Sequence, residues 1–167
     1  MNWLQGAVMD VLAYWRDYQQ NRPAGLDTGN YLHWHSNARL FEDVKAGDRL
    51  WLVTAGRNLN GHAKKAPQAG FLVAVWRVRQ VITNPGDDAV YPISDYRYRV
   101  IADATASLLL DEPVLVDHIL RPSGRDRARS IGSFLQGPRK IDIGKVRMLR
   151  AAAGPQMARQ YLSGRQL

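Results

Sequence analysis

The chain has 167 residues, 46% of them hydrophobic, with 23 Lys and Arg against 15 Asp and Glu for a formal charge of +8. These values fit one globular domain with a core of its own and argue against wholesale disorder. The absence of cysteine excludes disulfide stapling, thiolate catalysis and sulfur-ligated metal sites.

Taken from the N-terminus, Trp3, Ala7, Val8, Val11, Leu12 and Trp15 recur at spacings of three and four. That pattern predicts an amphipathic helix over about 2–20, stopped at Arg22-Pro23-Ala24-Gly25. Asp10 interrupts the apolar run, and no stretch of about 18 apolar residues occurs, so neither a signal peptide nor a membrane span is expected and a cytoplasmic setting is. Tyr31 to Trp34 suits a short strand, and Asn37 stands where it would cap a short helix through Val44. The turn Lys45-Ala46-Gly47-Asp48 feeds a central strand, Arg49 to Ala55, apolar on both faces from Leu50 to Val53.

Arg57 to Gln68 reads as a polar loop between Gly56 and Gly70. Phe71 to Ile82 is the longest strand candidate, with Arg77 and Arg79 on one face and Trp76, Val78 and Gln80 on the other. Asn84-Pro85-Gly86-Asp87 ends it. Tyr96 to Ala102 is a further strand, its tyrosines and Val100 pointing one way and Arg97, Arg99 and Ile101 the other. Leu108 to Val116 reads as a strand bent at Asp111-Glu112-Pro113. Helices follow after about 126: Arg127 to Leu135, Ile143 to Ala153 and Gln156 to Leu162, the last two separated by Gly154-Pro155. Short strands without regular strand–helix alternation predict an α+β domain: a small curled β-sheet or partly closed β-barrel with flanking helices.

The densest group of chemically able side chains is Tyr31 to Arg39. Trp34 can stack on a base, while Ser36 and Asn37 can read a base edge beside His35. Equally, Trp34 is core and His33 and His35 are ordinary strand residues. Two histidines at i and i+2 lack a third ligand at a recognisable spacing, so no metal and no cofactor is expected. Ser36 beside His35 is adjacency rather than a triad, because neighbouring strand side chains point oppositely. Neither a phosphate-binding loop of the nucleotide-hydrolase kind nor a dinucleotide fingerprint is present. Gly132 to Lys140 joins a glycine-flanked turn to Arg139 and Lys140, and the polar loop carries Lys64 and Lys65; with Arg39 these cations are the candidate phosphate contacts.

Trp34 to Asn37, the turn from Lys45 to Leu52 and the strand Gly70 to Val75 together resemble the PUA-like superfamily, especially its EVE branch. The resemblance covers roughly residues 30–83. It implies a curled barrel with a pocket beside the first strand and nucleic-acid reading, in related branches through an aromatic cage around a modified base. On that pattern Trp34, His35, Ser36 and Asn37 line the pocket, with Trp51 stacking, and Trp76 and Tyr98 are further cage candidates. His35-Ser36 replaces the acidic or Lys-Ser start usual there, and the N-terminal helix is an addition.

The expected function is therefore a non-catalytic nucleic-acid-binding domain accepting a flipped or modified base in DNA or RNA. Two alternatives stand beside it: a nuclease or nucleotide-processing hydrolase using His33 or His35 with Lys64 or Lys65, and an interaction module whose N-terminal helix pairs, through Trp3, Val8 and Trp15, with a partner or with a second copy as a homodimer.

Overall fold

The computed structural model describes residues 7–16, 18, 33–56, 68–85 and 96–163. The first element is a strand, β1 (Asp10–Tyr14), where the three-and-four spacing predicts a helix. It lies inside the sheet, parallel to β3 (Arg49–Gly56). Val11, Ala13 and Trp15 pack into one core layer and Leu12 into the other. A strand buried on both faces has no alternating pattern, so periodicity alone reads it as a helix. The rest of the predicted helix, 1–6 and most of 17–25, lies outside the described residues. Of the Trp3, Val8 and Trp15 face expected to pair with a partner or a second copy, Trp15 is buried in the core, Val8 is exposed and Trp3 lies outside the described residues.

β2 (His33–Ser36) leads to a 3-10 turn (Arg39–Glu42) rather than a helix capped by Asn37. The turn before β3 closes on Asp48, whose carboxylate accepts from the Lys45 backbone N–H at 2.7 Å and that of Met9 at 2.8 Å. Gly47 supplies the positive φ, +94°, that this turn requires. The remaining strands are β4 (Ala69–Thr83), β5 (Tyr98–Ala102), β6 (Leu108–Leu115) and β7 (Arg139–Lys140). Among the described residues the α-helices of three or more residues are α1 (Asp117–Leu120), α2 (Gly124–Arg127), α3 (Ile131–Phe134) and α4 (Ile143–Ser163). The helix predicted over Arg127 to Leu135 is thus broken into short turns. The two predicted after it are one, running through Pro155 because Ala153 and Met157 pack on the same core layer on either side of the lost hydrogen bond. Asp142 starts that helix, accepting the Lys145 N–H at 2.9 Å, a bond that lowers the carboxyl pKa.

The strands hydrogen-bond in the order β2-β5-β4-β3-β1-β7, with β6 joined to β4 off this path. β1 with β3 is the parallel pair; the others are antiparallel. β2 and β7, at the two ends, do not meet among the described residues, so the expected curled sheet or barrel is replaced by an open mixed sheet in an α+β fold. The physical reason is the length of β4. Its first half carries β6 and its second half β5, so partners are spread along one strand rather than around a ring.

One face of the sheet packs Leu50, Leu52, Trp76 and Tyr98 with Phe41; the other packs Trp51, Val53, Leu72 and Val75 against Leu120, Ile131 and Leu149 of the helices. Gly70 sits where the short helices press hardest on the sheet: a Cβ there would lie 2.7 Å from Leu120 Cδ1 and 3.1 Å from Ile131 Cδ1. Gly70→Ala is expected to cost about 1–3 kcal/mol by overpacking. The shift in the urea midpoint at unchanged slope measures it, and a midpoint equal to that of the native chain overturns the assignment.

Candidate ligand cleft

The end of β1, the edge strand β2 and the turn between α3 and β7 enclose a cleft of about 740 Å3. β1 contributes Tyr14, and Trp15 and Arg16 follow it. Their backbone is held by the Trp15 N–H on the Val53 carbonyl, 2.8 Å, and by the Thr54 hydroxyl donating to the Trp15 carbonyl, 2.9 Å. β2 contributes His33 to Ser36, followed by Asn37. Among the described residues it pairs with β5 alone, at the end of the sheet. The third wall is Gly132 and Leu135 to Pro138, shaped by Ser130, whose hydroxyl accepts the Ser133 N–H at 3.2 Å, and by Gly137 at φ +79°.

Trp34 is half-buried: it packs on Phe41 with ring centroids 5.3 Å apart and still lines the cleft. Tyr96 stands 5.4 Å from the His35 ring and is 47% exposed. Asn37 Oδ1 accepts the Arg97 backbone N–H at 2.7 Å, which fixes the amide orientation and leaves its NH2 group as donor. Ser36 Oγ accepts the Ala38 N–H at 3.1 Å and retains its own hydrogen. His35 Nε2 accepts from Arg99 Nε at 3.0 Å. That lone pair is engaged by a buried guanidinium, which places the imidazole proton on Nδ1 and works against general-base chemistry at Nε2. Among the described residues, no Asp or Glu lines the cleft. Among the described residues no three His, Cys, Asp or Glu side chains converge on a metal position.

The structure therefore gathers Trp34, His35, Ser36 and Asn37 in one cleft and places Trp51 elsewhere. Trp51 is 0% exposed, in the other core layer, with its indole N–H on Asp10 Oδ1 at 2.7 Å. Trp76 and Tyr98 are also sealed, so no aromatic cage is built from the three. Burial and the hydrogen bond to Glu42 raise the Tyr98 hydroxyl pKa. The cations fare differently from one another. Arg39 is exposed on the 3-10 turn but is not a lining residue. Lys64 and Lys65 lie outside the described residues. Lys140 is exposed and 3.7 Å from Asp43.

Arg139 turns inward. Its guanidinium carbon lies 4.5 Å from the Phe134 ring centre, Nη1 donates to the Phe134 carbonyl at 3.1 Å, and Nη2 is buried with no acceptor among the described residues. Burial, then the Arg129 charge, pushes the guanidinium below its ordinary pKa. Arg139 thus anchors the cleft wall from behind. Arg97 and Arg99, expected on one face of their strand, offer no open pair of cations: Arg97 pairs with Glu42 at 3.3 Å and Arg99 is buried beside His35.

Tyr14, Trp15, Arg16 and Tyr96 were not legible as site residues. The first three sit in the segment whose period suggests a helix, and Tyr96 reaches the cleft only through the β2–β5 pairing.

No family model and no curated protein matches the chain. The resemblance to the PUA-like superfamily and its EVE branch is thereby unsupported in sequence, and the open sheet contradicts the barrel it implies. No helix among the described residues is long and apolar enough to cross a membrane.

Proposed function

We propose that the chain binds single-stranded or locally unstacked nucleic acid, without catalysis, in the cleft between β1, β2 and the α3–β7 turn. The observation that carries this reading is an aromatic-lined cleft of about 740 Å3 with donors on its wall and, among the described residues, no carboxylate lining it, on a chain of net charge +8. A cleft of that size takes one or two nucleotides' worth of ligand. Tyr96 and the open side of Trp34 supply stacking surfaces; the Asn37 amide and Ser36 hydroxyl supply donors to base edges or phosphate oxygens; Arg16 supplies local charge. The surplus of positive charge over the whole chain raises the encounter rate with a polyanion. An enzyme reading has less support at His35, because its Nε2 lone pair already accepts from Arg99.

The test is fluorescence anisotropy with short single-stranded DNA and RNA across a salt series. Affinity is expected to fall with salt, with a log–log slope of about −0.7 for each phosphate neutralised, and incubation should leave the oligonucleotides uncut. Tyr96→Ala, at an exposed position, and Trp34→Ala should each weaken binding on the order of 5- to 150-fold, the loss of one base stack. Tyr96→Ala guards against misfolding of the Trp34 variant. Saturable binding that neither substitution changes, or no binding even at about 50 mM salt, overturns the proposal.

A further inference from the structure

A second cationic feature lies at the other end of β3. On the helix-covered face of the sheet, the β3 side chains run Val53, Trp51, Arg49, and Arg49 stands directly opposite Arg77 of β4. Two like charges facing each other across a ladder are destabilising unless a counter-charge sits between them. Arg49 has one: Asp10 accepts from its Nε at 2.7 Å and its Nη2 at 2.8 Å. Arg77 has none. Among the described residues its guanidinium makes no ion pair, and neither does that of Arg150, which α4 brings to the same place.

The three arginines line a pocket of about 80 Å3 together with Val75, Leu108 and Met157. Three positive charges against one carboxylate leave a surplus of two, which matches a dianion. The apolar lining keeps water off part of the pocket and strengthens charge-assisted hydrogen bonds made there. Its volume holds on the order of half a dozen water-sized centres, room for one tetrahedral oxyanion and little more. The planar fork of arginine matches pairs of oxygens on such an anion.

We propose that Arg49, Arg77 and Arg150 form a binding site for a phosphate dianion, either free phosphate or the terminal group of a phosphate monoester. This site is separate from the cleft. Arg49 pairs with Asp10 and Val53 with Tyr14, so the two ends of the ladder stand four strand residues apart, roughly 13 Å.

The experiment is titration of the full chain with inorganic phosphate and, separately, ribose 5-phosphate, followed by NMR of the arginine Nε–H groups. Saturable shifts are expected at Arg77 and Arg150. Arg150→Gln, on an exposed helix position, and Arg77→Gln should each weaken binding by about tenfold or more, the loss of a charged hydrogen bond. Tyr96→Ala should leave it unchanged. Tighter binding of the sugar phosphate identifies a monoester as the ligand, and equal binding identifies the free anion. Absence of saturable shifts up to about 10 mM ligand, or Arg150→Gln and Arg77→Gln both binding like the native chain, overturns the site while leaving the cleft reading untouched.

Discussion

Asp117→Ala is expected to destabilise the fold by about 3–5 kcal/mol, the cost of leaving one partner of a buried ion pair alone. Asp117 Oδ1 accepts the Arg121 Nη2–H at 2.8 Å and the Gly70 backbone N–H at 2.9 Å, so a single carboxylate ties α1 to the start of β4. Arg121 is 7% exposed and sends its other arm, Nη1, to the Arg129 carbonyl at 2.6 Å. Without Asp117 that guanidinium is buried and uncompensated, and a strand N–H loses its acceptor. Arg121→Lys should also be costly, because one ammonium cannot span the carboxylate and the Arg129 carbonyl together. Urea unfolding measures both, and hydrogen exchange at Gly70 localises the first. A loss under about 1 kcal/mol, the range of an exposed pair, together with unchanged protection at Gly70, would show that the bridge is dispensable. Because Arg129 leads directly into α3 and the cleft wall, the Arg121→Lys chain should also bind oligonucleotide more weakly than its residual stability explains.

Asp10→Ala is the second large effect, with an expected cost of about 3 kcal/mol. Asp10 is buried and accepts three hydrogen bonds, two from Arg49 and one from the sealed Trp51 indole. The lower end of the buried-pair range applies because Arg49 is 27% exposed and can turn part of its charge to water. The orphaned indole N–H cannot. Asp10→Asn, oriented with its carbonyl toward Trp51, should recover part of the loss, which separates the indole bond from the ion pair. Denaturant midpoints for the two variants check this; equal losses in both would assign the whole effect to charge.

Much of the scaffold is legible along the chain. The Lys45–Asp48 turn, β3 and β4 follow from apolar runs bounded by glycine and charge, and the structure extends β4 by two residues at its start and one at its end. Burial of Trp76 and Val78 against exposure of Arg77 and Arg79 is the predicted alternation. Gln80 breaks it, being exposed, because the register with β5 shifts between Val78 and Gln80. A bulge leaves no mark in composition. At the site, residues 34–37 were visible as a cluster of stacking and hydrogen-bonding types. Their identity did not say whether the indole faced ligand or core, and it does both.

What the amino-acid order determined by itself was therefore local and chemical: a strongly basic surface, no thiol chemistry, the tight Gly-Asp turn, and strands with one-sided or continuous apolar runs. What only the tertiary structure decided was partnership at long range. β1 becomes a strand because β3, some 39 residues later, offers it a ladder and Asp48 captures the Met9 N–H. Trp51 is sealed and Trp34 left half-open by which layer each enters. Arg139 is drawn inward by Phe134, whereas Arg77 and Arg150 line a pocket and have no ion-pair partner among the described residues. Side-chain type sets what a residue can bind; whether it is available is set by what folding packs against it, and those neighbours lie tens of residues away.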